Sequence, residues 1–172
     1  MHNVKKRYLI FTQINKLAII TFISSISVAL MGTIWAIYLQ SLIHNDAYVG
    51  FLSTLFTIVA LVSSIVLIPY IERTSKSKIY LISLFFYSLS YVLFALLSNI
   101  FIIIAIGIFI SVMSDLKITS FVIILRDKSK DASVSKNIGL IYTFINLSWL
   151  LGPLIAGFLA QRYGFSPVFF FG

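Results

Sequence analysis

Residues 17–43 read LAIITFISSISVALMGTIWAIYLQSLI and lie within a 29-residue run, between Lys16 and Asp46, that holds no Asp, Glu, Lys or Arg. A bilayer core about 30 Å thick takes roughly 20 apolar residues of helix to cross, so this stretch can span. The pattern recurs on moving outward. Charge-free runs of 25 residues separate Asp46 from Glu72 and Lys136 from Arg162, and one of 36 covers 79–114. The last would be about 54 Å long as one straight helix, too long for a single crossing, and Ser98-Asn99 breaks it in two. The second piece must take in Asp115 and Lys117, because 100–114 alone is too short. The spacing predicts spans near 17–43, 47–71, 78–97, 100–125 and 137–161. A sixth apolar run starts at Phe165, is still apolar at Gly172, and is too short to cross. The expected fold is all-α: a polytopic transmembrane bundle of five spanning helices plus the start of a sixth, one membrane domain over 1–172.

Composition says the same. Charged residues are 10% of the 172, where soluble proteins carry about 25%, and apolar residues reach 60%. The mean hydropathy is +1.05. There is no cysteine, so no disulfide framework, thiolate metal site or cysteine nucleophile. With two histidines and five acidic residues, a metal or hydrolytic centre is hard to assemble, and no G-x4-G-K-(S/T) phosphate loop occurs. The expectation is a protein that is not an enzyme and uses neither metal nor cofactor.

The net charge of +8 is explained by position. Eleven of the thirteen basic residues fall in the N-terminal segment (Lys5, Lys6, Arg7, Lys16), the loop near 72–78 (Arg73, Lys76, Lys78) and the loop near 126–136 (Arg126, Lys128, Lys130, Lys136). The alternate turns hold none, apart from Arg162 after the fifth span. Such asymmetry marks the cytoplasmic side. The expected location is the cell membrane, multi-pass, with the N-terminus cytoplasmic. The basic residues then serve as orientation signals and lipid-headgroup contacts, and no nucleic acid is expected as a partner. The opening residues imitate a secretory signal, but the apolar run is too long and no small-residue cleavage site follows. They read as a retained first helix, with 8–15 extending it or lying at the interface.

The fifth span carries a stripe of small residues. Ser148, Gly152 and Ala156 recur every four positions, on one helix face where another backbone can approach closely; Pro153 beside them removes a backbone hydrogen bond. The register Gly139, Ser148, Gly152, Pro153, Ala156, Gly157 resembles the fifth-helix motif G-x8-G-x3-G-P-x2-G-G of the major facilitator superfamily, with Ser and Ala replacing two glycines. The loop after the second span is similar to that family's G-x3-D-(R/K)-x-G-(R/K)-(R/K) signature. Its register falls on Ile68, Glu72, Arg73, Ser75, Lys76 and Ser77, with Lys78 beyond, both glycines absent and Glu in place of Asp. The resemblance covers essentially the whole chain, as the N-terminal half of such a transporter. It implies secondary active transport of a small solute by alternating access. An exporter or antiporter is mildly favoured, because the fifth-helix motif is commonest among antiporters. It also implies a coupling proton or ion, the lipid bilayer and the missing C-terminal half as partners, and a latch between Glu72 and Arg126; a solvated interfacial pair reads those two residues equally well.

Two ionisable residues need a reason to lie in lipid. Asp115 is about 16 Å and Lys117 about 13 Å along the helix from Arg126, and each costs on the order of 2.5–3.5 kcal/mol to insert at the centre. Two positions apart, they point about 200° from one another. Ser111 and Thr119 flank Asp115 at four-residue spacing. One reading makes Asp115, Lys117, Ser111 and Thr119 a proton or substrate site in a central cavity. The other pairs the charges with polar groups on neighbouring helices or lets Lys117 snorkel. Tyr142, Asn146 and Trp149 share a face of the fifth helix, and Thr21, Ser25, Gly32 and Trp35 one of the first; Tyr142, Asn146, Trp149, Ser25 and Trp35 are candidate cavity lining, with helix packing as the alternative. Ser53, Thr57, Ala60 and Ser64 form a small stripe on the second helix that reads as packing, and His44 reads as a loop residue. Rival functions are a truncated, non-transporting remnant or membrane interaction subunit that pairs with another half, and a multi-span membrane enzyme, against which the scarcity of acids and histidines counts.

Overall fold

The computed structural model describes the backbone of residues 2–129 and 134–171 and the side chains of 15–129 and 134–171. Lys130 and Gly172 therefore lie outside the described residues, as do the side chains of Lys5, Lys6 and Arg7. The helices are α1 (His2–Ile43), α2 (Asp46–Arg73), α3 (Lys76–Leu96), α4 (Ile100–Lys128), α5 (Val134–Tyr163) and a short α6 (Phe165–Phe171). No strand occurs among the described residues. Among the described residues, five helices are long and apolar enough to cross a membrane.

Two of the polar breaks in the sequence become turns with a side-chain cap. His44 takes φ 58°, a left-handed conformation that histidine tolerates better than most residues. Asn45 Oδ1 then accepts from the backbone N–H groups of Ala47 (3.0 Å) and Tyr48 (3.3 Å), starting α2. Asn99 repeats this for α4, accepting from Phe101 N (3.0 Å) and Ile102 N (3.4 Å). Side-chain oxygens there satisfy amides that a helix start leaves without partners. α2, α4 and α5 run past their apolar stretches and place Arg73, Arg126 with Lys128, and Arg162 in their last turns, where cations complement the helix dipole. α1 is continuous from His2.

α1 lies along α5, while α4 packs on both α3 and α2; α6 folds against α3, α5 and α1. The α1–α5 seam is the small-residue stripe. Ser148, Gly152 and Ala156 are buried, and a Cβ built on Gly152 would collide with Ala29 of α1. Ser148 Oγ donates to the carbonyls of Phe144 (2.9 Å) and Phe22 (3.2 Å), so it also ties α5 to α1. Gly139 and Gly157 of the same motif face open space. On α2 the small stripe is not the buried face: Val49, Leu52, Phe56, Ser63 and Ile71 are the buried residues, and Thr57 is exposed. The physical reason is Gly107 on α4, whose missing side chain leaves room for the Phe56 ring, 2.6 Å from where a Cβ would stand.

At the end away from the basic loops, aromatic rings fill the core. Trp35 lies 5.0 Å from Phe94 and 6.0 Å from Phe56, and Tyr38 lies 4.7 Å from Phe169, between ring centroids. The Tyr38 hydroxyl reaches the carbonyls of Phe94 (3.4 Å) and Leu97 (3.3 Å), bridging α1 to the end of α3. This end is closed. The opposite end holds a cavity.

Candidate functional site

A cavity of about 590 Å³ opens between α1, α4 and α5, in the half of the bundle that carries Arg126 and Val134. Its existence follows from the pairing of the helices: α5 is held to α1 and α4 to α2 and α3, while α4 and α5 barely meet. The space between them lies below the aromatic plug. Its volume is in the range of pockets that enclose small organic molecules.

The α1 wall is Thr21, Ser24, Ser25 and Val28, at helical spacing. The α5 wall includes Ile138, Ile141, Tyr142, Ile145 and Trp149. Trp149 closes the deep end, its Cη2 lying 3.0 Å from where a Cβ on Gly32 would stand. α4 contributes Ser114, Lys117, Ile118, Phe121 and Arg126 among others, and α3 reaches in with Tyr80. Lys117 and Arg126 are the only charged residues in this wall among the described residues. They are separated by about 13 Å along α4.

Lys117 is 7% exposed. Its Nζ donates to Ser24 Oγ of α1 at 3.4 Å and lies 4.2 Å from the centroid of the Tyr87 ring on α3. A buried ammonium is costly unless paired, and the π face of Tyr87 supplies part of what water would. No carboxylate lies within ion-pair distance of it among the described residues. The lysine thus makes polar contacts across two neighbouring helices and does not snorkel.

Asp115, by contrast, does not line the cavity. It is half-buried, and its buried Oδ2 has no hydrogen-bond partner among the described residues. Ser111 and Thr119 are likewise half-buried and outside the wall, and Ser111 Oγ donates back to Gly107 O at 2.8 Å. The expected four-residue constellation therefore divides, with Lys117 alone on the cavity, as the angle of about 200° between it and Asp115 requires. The pair expected from the resemblance is not formed here: Glu72 and Arg126 are both exposed and make no ion pair with one another. Glu72 instead offers its backbone carbonyl to Lys76 Nζ at 3.0 Å, and Arg126 stands at the cavity. Arg73 and Lys78 are exposed at the same end.

Of the lining expected on α1 and α5, Ser25, Tyr142 and Trp149 are on the cavity. Asn146 is exposed and off it, because Ile141 and Ile145 hold the face that turns inward. Trp35 belongs to the aromatic plug, about three turns beyond Ser25 toward the closed end. Ser24, Tyr80 and Tyr87 do not stand out in the sequence. The signal for Ser24 and Tyr87 lies in Lys117 itself, since a buried lysine obliges some neighbouring helix to supply an acceptor or an aromatic face.

The sequence pattern of the Major Facilitator Superfamily matches residues 17–172. No curated protein and no solved structure gives a significant match.

Proposed function

The chain belongs to the major facilitator superfamily, and from this we propose that it carries a small solute across a membrane by alternating access through the α1/α4/α5 cavity. The single observation that carries the site assignment is the asymmetry of the bundle: a cavity lined by polar, aromatic and cationic groups at one end, and packed aromatic rings at the other. Transporters of this family are built from two six-helix halves with the solute site at their interface. The uncovered flank of the cavity is therefore the surface that a second half completes.

The positive-inside rule, applied to the basic loops, supports a cavity mouth on the cytoplasmic side of the cell membrane. On that reading the bundle is an inward-facing half. Transport then requires this half to rock as a body against the second one, so that the inner mouth closes and the outer end opens. The antiporter-like register on α5 supports an exporter working by exchange. Asp115, half-buried with an unpartnered oxygen and outside the solute cavity, is the group we assign to the coupling proton, since intramembrane carboxylates serve in such relays.

The test is solute flux in proteoliposomes holding the complete protein, with and without an imposed proton gradient. Saturable flux that responds to the gradient supports the reading. Flux indistinguishable from protein-free liposomes across a broad solute panel removes it.

A further inference from the structure

We propose that the α1/α4/α5 cavity selects amphipathic organic anions, recognised through Lys117, with Arg126 guiding them in at the mouth. This rests on reading that cavity as the solute site.

The charge count of the wall comes first. Both ionisable residues on it that carry charge are cations, and Asp115, the acid nearest in sequence, lies outside it. A cationic solute would meet like charge at both depths of a low-dielectric space, where repulsion is poorly screened. An anion meets the opposite.

The second strand is the unfinished coordination of Lys117. An ammonium has three N–H donors. One reaches Ser24 Oγ at the long distance of 3.4 Å, and the ring of Tyr87 lies 4.2 Å away. Neither contact carries a negative charge, and the side chain is 7% exposed. A carboxylate or sulfonate entering the cavity supplies the counter-charge and an acceptor for the remaining donor, forming the charge-assisted bond that buried ammonium groups favour. Ser25 lines the same space and can donate to another of the anion's oxygens.

The third strand is the rest of the wall. Tyr80, Phe121, Tyr142 and Trp149, with isoleucines between them, surround the polar patch. This lining solvates an aromatic or alkyl body and offers little to a small hydrophilic ion. The expected ligand therefore has one acidic head and an apolar body of one or two rings.

The experiment measures binding of labelled naphthalene-2-sulfonate to the purified complete protein in neutral detergent. Naphthalene-2-sulfonamide and 2-naphthylmethylammonium serve as neutral and cationic counterparts. The sulfonate is expected to bind at least about tenfold more tightly than either counterpart, the worth of one charge-assisted hydrogen bond. Lys117→Gln is expected to lose a similar factor, while Lys117→Arg, which keeps the charge, stays within a few-fold. Equal or tighter binding of the ammonium compound overturns the proposal, and so does sulfonate binding that Lys117→Gln leaves unchanged. Displacement by phosphatidylglycerol but not by soluble aryl carboxylates assigns the site to lipid headgroups and overturns the solute reading. Because Lys117 also braces α4 to α1 and α3, Lys117→Gln is accompanied by thermal unfolding. If it does not fold, discrimination among the three probes by the unmodified protein decides the matter. Binding of the sulfonate without flux of any solute would remove transport and leave the anion site standing; flux of neutral or cationic solutes alone would remove the anion site and leave transport.

Discussion

Gly152 on α5 and Ala29 on α1 meet with no room for a side chain between them. In lipid, where apolar tails surround every helix alike, such close approach is what holds two helices together. This contact anchors α5 on the α1 side of the cavity, so the width of the cavity depends on it.

Gly152→Val is therefore expected to force α1 and α5 apart, destabilising the protein by about 1–3 kcal/mol, the usual effect of overpacking a tight contact. Gly157→Ala, in the same motif but facing open space, is expected to leave stability unchanged. Thermal unfolding in detergent distinguishes the two. Equal stability of both variants would show that the stripe is not the seam.

Tyr38→Phe is expected to destabilise the closed end by about 0.5–1.5 kcal/mol, the net worth of an ordinary hydrogen bond. The ring stack on Phe169 survives in this variant, and only the bridge to the carbonyls of Phe94 and Leu97 is lost. Unfolding measurements on Tyr38→Phe and Tyr38→Ala separate hydroxyl from ring, and the alanine variant is expected to lose more.

These 172 residues hold no cysteine, so a thiol introduced among them is the single labelling site once any cysteine elsewhere in the complete protein is replaced by serine. Ser25→Cys, on the cavity wall, is expected to react with a membrane-impermeant maleimide added from the side of the basic loops. Ser90→Cys, buried on α3, is not expected to react from either side. Sealed right-side-out and inside-out vesicles give the sidedness. Labelling of Ser25→Cys only from the opposite side would reverse the proposed orientation.

Asp115→Asn removes the proposed proton carrier without changing side-chain size. The expected outcome is that flux no longer responds to a proton gradient, while binding of solute in the cavity persists. A gradient response equal to that of the unmodified protein would move coupling elsewhere.

The helices are legible in the sequence because charge is so costly in lipid: 25 consecutive residues without it, at the length a bilayer requires, leave little but a spanning helix. The stripe of Ser148, Gly152 and Ala156 is legible for a related reason, since small residues at four-residue spacing define a face wherever it points. What that face meets is not legible. Periodicity locates a face on its own helix and says nothing of the neighbour, so it cannot name Ala29 as the partner of Gly152. The same gap applies to the two tryptophans. Trp35 and Trp149 both read as lining, yet one sits among Phe56 and Phe94 and the other on the cavity, a difference set by depth along helices whose packing partners the sequence does not reveal. Lipid-facing and core-facing residues also share a composition here: Ile65 and Leu154 are exposed where Ile103 and Leu39 are buried, and hydrophobicity cannot sort them. Asp115 and Lys117 stand out as costly, but which of them meets the cavity depends on the placement of α5.

The central claim, that solute passes through the α1/α4/α5 cavity, is met most directly by one measurement: flux through the complete Ser25→Cys protein in proteoliposomes, before and after maleimide modification, with and without solute present during the modification. Saturable flux that modification abolishes, and that bound solute protects, is the expected result. Absence of flux from the folded, unmodified protein, or flux that continues unchanged with Ser25→Cys fully modified, would contradict it.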